Sequence, residues 1–275
     1  MYKLLALDMD GTLLTSQGEI SPNTREAIAK ARAMGVKVVL ASGRPLEGML
    51  PYLNTLRLNT DDDFVLCYNG SLIQKAGSHD VVRSCILNGC DAHALQTLSR
   101  ELGVNIHAFS RRLGLITPKR NHYTEHEAKL NGIPLLEMDF AELPADEEIL
   151  KVMFIDEPEV LSAAIARLTP DLHQRYTIVQ SAPYFLEFLN PSSNKGIAVG
   201  MLADYLGLDA SEVICVGDAG NDRHMIEFAG LGVAMGNATE DIKAIADFVT
   251  KSNDQDGIAH LIERFIVNPE LESCV

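Results

Sequence analysis

Lys3-Leu4-Leu5-Ala6-Leu7-Asp8-Met9-Asp10-Gly11-Thr12-Leu13-Leu14 is an apolar run that ends in two aspartates, a glycine and a threonine. Its apolar residues do not alternate with polar ones, the pattern of a strand buried on both faces of a parallel sheet. Gly11 breaks the strand and permits a tight turn. Asp8 and Asp10 therefore stand at a strand's carboxyl end, where open α/β sheets bind their ligands. Residues two apart in an extended segment point the same way. Two carboxylates facing one point need a cation, a proton or both.

Outward from this stretch, strands and helices alternate. Ser21-Pro22 opens a helix, with Ser21 as its cap and Pro22 in its first turn, and Gly35 closes it. Val36–Leu40 reads as a second buried strand ending in Ala41-Ser42-Gly43-Arg44-Pro45, followed by a helix that Pro51 disturbs. Phe64–Tyr68 reads as a third strand, and Asn69-Gly70 as a hairpin turn into Ser71–Gln74. This order predicts an α/β fold, a doubly wound parallel Rossmann-like core. From about Val81 to Asn190 the strands alternate more and turn more often, and two similar βαββ units are expected, beginning at Val81 and Leu150, with a short helix Tyr123–Asn131 between them. Apolar strand and helix order resumes with a helix Lys195–Leu206, a strand Val213–Val216 and a short strand Gly232–Met235, before a loose tail beyond Asn268. The expected division is a core of residues 1–82 and 191–275, interrupted by an inserted α+β domain of residues 83–190.

The chain of 275 residues is 47% hydrophobic and 22% charged, the composition of an ordinary globular protein. Its net charge of −15 opposes nonspecific binding to nucleic acid and anchoring to anionic membranes. None of the five cysteines, Cys67, Cys85, Cys90, Cys215 and Cys274, forms a CxxC pair, so reduced thiols are expected. With no long apolar span and no signal peptide at the N-terminus, a cytoplasmic protein is expected.

Three polar clusters each follow an apolar strand: Asp8/Asp10, Ser42-Gly43-Arg44 and Asp218/Asn221/Asp222. Adjacent strands in one parallel sheet would bring all three to one edge. Each close pair of carboxylates there costs about 4 kcal/mol at an effective dielectric near 20. A hard divalent cation relieves this, and Mg²⁺ fits because it takes a few carboxylates and keeps waters for substrate oxygens. Lys195, between Asn194 and Gly196 at a helix start, can add a positive charge and N–H groups for a phosphate. Ser42 and the Gly43 amide can donate further hydrogen bonds.

Asp8-Met9-Asp10-Gly11-Thr12, Ser42-Gly43-Arg44, Lys195 and Gly217-Asp218-Ala219-Gly220-Asn221-Asp222 resemble, in order and spacing, the four motifs of the haloacid dehalogenase (HAD) superfamily, and the whole chain resembles its Cof-type sugar phosphatases. The resemblance implies that Asp8 is a nucleophile that becomes an aspartyl-phosphate. It implies that Asp10 protonates the leaving alcohol and then deprotonates the attacking water. Mg²⁺ would be held by the Asp8 carboxylate, the Asp10 backbone carbonyl and Asp218. The Met9 amide, Ser42, Gly43, Lys195 and Asn221 would hold the phosphoryl oxygens. Thr12 would brace the loop, and Asp222 would orient Lys195 or a metal-bound water. Arg44 would either pair with a core carboxylate or touch substrate. The inserted domain would act as a cap that excludes water and reads the leaving group.

The expected function is a Mg²⁺-dependent phosphatase acting on small phosphorylated metabolites, sugar phosphates foremost. Its rivals are a phosphomutase using the same acid pair and a non-catalytic, Mg²⁺-dependent binder of phosphorylated metabolites. Binding alone would not need Asp10.

Overall fold

The structure, a computed structural model, describes residues 1–269. The tail expected beyond Asn268 lies outside these residues from 270 on, as does Cys274. The chain divides into two compact units, one of Met1–Ser42, Leu50–Arg83 and the chain from Asn194 on, the other of Gly43–Met49 and Ser84–Ser193.

Strands are numbered along the chain. β1 (Leu4–Leu7), β2 (Lys37–Ala41), β3 (Phe64–Cys67), β4 (Leu72–Lys75) and β5 (Val81–Ser84) come first. β6 (Asn105–Ser110), β7 (Gly114–Thr117), β8 (Leu135–Glu137), β9 (Ile149–Ile155), β10 (Thr177–Ala182) and β11 (Phe185–Leu189) form the second unit's sheet. β12 (Val213–Gly217), β13 (Leu231–Ala234) and β14 (Phe248–Val249) return to the first.

The first sheet has the order β14-β13-β12-β1-β2-β3-β4-β5. β1 lies between β12 and β2, parallel to both, with Leu7 opposite Val216 on one side and Leu40 on the other. The residues just beyond these positions, Asp8, Asp218 and Ser42, thus leave the sheet at one edge. Such central strands need apolar residues on both faces, and β1, β3 and β12 are buried throughout. Leu4, Ala6, Val39, Leu66 and Cys215 form one core face with Ala198, Val199, Leu202 and Ala203 of the helix Lys195–Leu206. Each large apolar side chain so buried stabilises by about 1.5–3 kcal/mol.

Local chemistry sets the ends of these elements. The Ser21 hydroxyl accepts from the Thr24 N–H at the start of the helix Pro22–Ala33. Pro51 does not break the helix Leu50–Leu56, because it lies in the first turn, where its missing N–H has no intrahelical partner to lose. β3 turns through Tyr68–Gly70 into antiparallel β4, as the Asn-Gly pair predicted.

The second unit has the sheet order β10-β11-β9-β6-β7-β8, antiparallel except between β7 and β8. One face, with Ile106, Ala108, Val152, Phe154, Leu186 and Phe188, packs on Ala92 and Leu95 of the helix Gly89–Leu102. Alternation sends His107, Phe109, Lys151, Met153 and Glu187 to the other face. The expected βαββ duplication is incomplete. β9, a helix Pro158–Ile165, β10 and β11 form one unit, but the opening strand of the other, β5, pairs in the first sheet. Val82 packs against the first unit's core, and Leu87 keeps only a single bridge to Ile149. Among the described residues no helix is long and apolar enough to cross a membrane.

Candidate active site

Asp8 follows β1 directly, and its N–H donates to the Val216 carbonyl of β12 at 3.0 Å. The chain then curls back: the N–H groups of Thr12 and Leu14 both donate to the Met9 carbonyl, and the Leu13 N–H to that of Asp8. Gly11 makes the curl possible with φ at +84°, and a Cβ there would meet Asp218 Oδ2 at 2.4 Å. A glycine is needed here for both its backbone and its lack of a side chain. Thr12 braces more than its own loop, since its hydroxyl donates to Asp218 Oδ1 at 2.9 Å across the gap between β1 and β12. The Asn237 side chain, which nothing in the sequence singles out, holds the Gly11 carbonyl from outside.

Lys195 is fully buried at the start of its helix, where Asn194 caps the Ile197 N–H. Its ammonium donates to Asp8 Oδ1 at 2.5 Å and to Asp222 Oδ1 at 2.7 Å. The other Asp222 oxygen accepts from the N–H groups of Asp218 and Ala219. Asp222 thus contacts Lys195 directly. Carboxylate oxygens of Asp8, Asp218 and Asp222 lie within 4.8 Å of one another.

The electrostatics follow from this crowding. Burial pushes the Asp8 carboxyl well up, the Asp222 charge adds to this, and Lys195 opposes it. Burial and then Asp222 push Asp218 up to about 6, against the hydrogen bond from Thr12. Burial alone would discharge Lys195, but Asp222 and Asp8 outweigh it and hold the ammonium charged. With all three carboxylates ionised, the one ammonium would leave two negative charges uncompensated, all on oxygen. That donor set fits a hard divalent cation such as Mg²⁺. Asp10 is exposed and is not among the three carboxylates grouped within 4.8 Å.

Ser42 is buried at the end of β2, its N–H donating to Leu66 and its carbonyl accepting from the Asn69 N–H at 2.9 Å. Gly43 and Arg44, expected beside it, belong to the Gly43–Met49 stretch that packs with the second unit, where an Arg44 Nη1–H reaches the Gly48 carbonyl. Asn221 donates its amide to Asn69 Oδ1 at 3.1 Å. Asn69 is the residue that sequence reasoning passed over. Its Asn-Gly turn explained it fully, yet it is 2% exposed and links Ser42 to Asn221. A buried turn asparagine is the signal, and burial is not readable from a turn motif.

The family model for haloacid dehalogenase-like hydrolases matches residues 5–262. The chain belongs to that family. As a HAD-like hydrolase it is 44% identical over 269 residues to YxeH of Bacillus subtilis, covering 97% of this chain and 99% of the relative. A solved haloacid dehalogenase-like hydrolase from Bacteroides thetaiotaomicron superposes with a TM-score of 0.84 at 35% identity, over 96% of this chain and all of that one. The HAD subclass IIB sugar phosphatase BT4131 superposes with a TM-score of 0.80 at 25% identity, over 96% of this chain and 98% of its own. The four motif segments of this HAD-like hydrolase all lie within the matched span.

Proposed function

We propose that the chain is a Mg²⁺-dependent phosphatase that hydrolyses small phosphate monoesters, sugar phosphates foremost, through an aspartyl-phosphate on Asp8. The observation that carries this is the Asp8–Lys195–Asp222 triad beside Asp218, three crowded carboxylates around one buried ammonium at a strand end. The likeness to a sugar phosphatase supports the choice of ester.

Asp8, Asp218 and the Asp10 carbonyl would hold the Mg²⁺, which when bound draws charge off the phosphoryl oxygens and lets a dianionic ester approach carboxylates. An Asp8 carboxylate oxygen attacks phosphorus, the ester P–O bond breaks, and the leaving alkoxide takes the Asp10 proton. Asp10 then accepts a proton from water, whose oxygen attacks the aspartyl-phosphate, releasing phosphate and restoring Asp8. Lys195, Ser42, the amides of Met9 and Gly43, and Asn221 stabilise the equatorial oxygens. Unaided phosphate monoester hydrolysis is so slow that accelerations approach ~10²¹-fold.

Asp8→Asn and Asp10→Asn are each expected to lower phosphate release from a panel of sugar phosphates by about three orders of magnitude or more, with unchanged circular dichroism. Turnover like wild type in either variant would refute the mechanism. Stoichiometric free phosphate distinguishes this hydrolase from a mutase, which would return an isomerised ester.

A further inference from the structure

The second unit contains a charged cluster that the chemistry above does not use. Lys151 of β9 is 1% exposed, and Glu187 of β11 and Glu127 of the helix His122–Asn131 are nearly as buried. The Lys151 ammonium donates to Glu187 Oε1 at 3.3 Å, lies 4.0 Å from Glu127 Oε1, and stands over the Phe109 ring at 4.9 Å. Its third polar partner is not an acid. It is the Gly43 carbonyl, at 3.1 Å.

Gly43 is the residue at which the chain passes from the first unit into the second. The carbonyl before it, on Ser42, accepts from the Asn69 N–H at 2.9 Å, and its own carbonyl accepts from Lys151. In a trans peptide the N–H points opposite to the C=O, so these two bonds fix the planes on both sides of Gly43. Glycine has no Cβ to restrict it. Its conformation is therefore imposed from outside, and one of the two restraints is a desolvated lysine kept in place by two carboxylates. An isolated buried ammonium is costly, and two acids make its retention at this carbonyl possible.

We propose that Lys151, held by Glu187 and Glu127, is a positioning residue that sets the backbone at Gly43 and so aims the Ser42–Gly43 phosphate-binding turn. The inference rests on the phosphatase reading, in which that turn holds the phosphoryl group. The phosphoryl group is common to all substrates, so a fault in its cradle affects every ester alike. A residue that touches the leaving group would discriminate among them.

The test compares wild type, Lys151→Met, Lys151→Arg and the double variant Lys151→Met/Glu187→Leu. The double variant removes the ion pair as a unit, a change that buried pairs tolerate far better than loss of one partner. Thermal melts report folding, calorimetry with Mg²⁺ reports orthovanadate binding, and turnover is measured on p-nitrophenyl phosphate and on sugar phosphates. In the folded methionine variant, single or double, vanadate binding and kcat/KM on every ester are expected to fall about 10- to 100-fold, mainly through kcat, and Lys151→Arg to recover most of it. Vanadate binding within about twofold of wild type in a folded methionine variant, or a loss confined to the sugar phosphates, overturns the proposal. Wild type that neither binds vanadate nor releases phosphate overturns the phosphatase reading itself, and this inference with it.

Discussion

Replacing Lys195 with methionine removes an ammonium from among Asp8, Asp218 and Asp222. Methionine matches the length of the lysine stem, so the change isolates the charge. The three carboxylates have oxygens within 4.8 Å of one another. At an effective dielectric near 20, each ionised pair at that separation repels by about 3.5 kcal/mol. Lys195 is completely buried and Asp222 with it, so water does not replace the lost charge. Removing one partner of such a buried pair destabilises by about 3–5 kcal/mol, a fall in melting temperature of the order of 10 °C for a chain of this size. The acids escape by taking up protons. Asp8 and Asp218 already have raised folded-state pKa values, Asp218 about 6, and both rise further without the lysine. A group whose pKa is higher when folded favours the fold at low pH and loses that contribution as pH rises. The deficit of Lys195→Met against wild type is therefore expected to be large at pH 8 and to shrink toward pH 6. Melts of both proteins in EDTA across this range measure it, and millimolar Mg²⁺ at pH 8 is expected to restore part of the loss. A variant that melts within about 1 °C of wild type in EDTA at pH 8, or whose deficit grows on acidification, would refute the account of the charge cluster.

Gly11→Ala places a Cβ 2.4 Å from Asp218 Oδ2 at a φ of +84°. Left-handed strain of about 1–2 kcal/mol and overpacking of about 1–3 kcal/mol are expected to add, and the Mg²⁺ concentration for half-maximal turnover to rise about tenfold or more as Asp218 is displaced; an unchanged Mg²⁺ titration counts against the placement of that acid. His107 is held neutral at about 3 by burial and then by the Lys151 charge. Its Nε2 faces the Met153 sulfur, which can only accept, so Nε2 carries the hydrogen and Nδ1 accepts from the Thr124 hydroxyl. Because the folded value lies below the unfolded one, stability is intact above about pH 6.5 and falls by about 1.4 kcal/mol per unit below it. His107→Gln is expected to recover about 2 kcal/mol of the loss between pH 7 and pH 5 in urea titrations; parallel pH profiles for variant and wild type would show that His107 does not carry the slope.

Much of the site was legible in the chain itself. Asp8, Ser42 and Asp218 each follow an apolar run, and local patterning suffices to place them at strand ends. Lys195 was legible through its place in the motif order, ahead of the strand that leads into residues 217–222. The βαββ duplication was misread because β5 has an ordinary strand pattern, and pattern does not say which sheet a strand joins. Asn69 was hidden for a related reason: one residue can satisfy a turn and a buried polar network together, and only the turn has a short-range signature.

The order of apolar strands, caps and turn glycines determined the α/β class and the residues at the strand tips, because those preferences act over a few residues. Tertiary structure alone decided which tips share charge. It brought Thr12 to Asp218, Lys195 to both Asp8 and Asp222, and Lys151 to the Gly43 carbonyl. Partners so distant in the chain meet only through the register of the sheets and the packing of helices upon them. Their charges and hydrogen bonds take their strength from the burial that this packing creates.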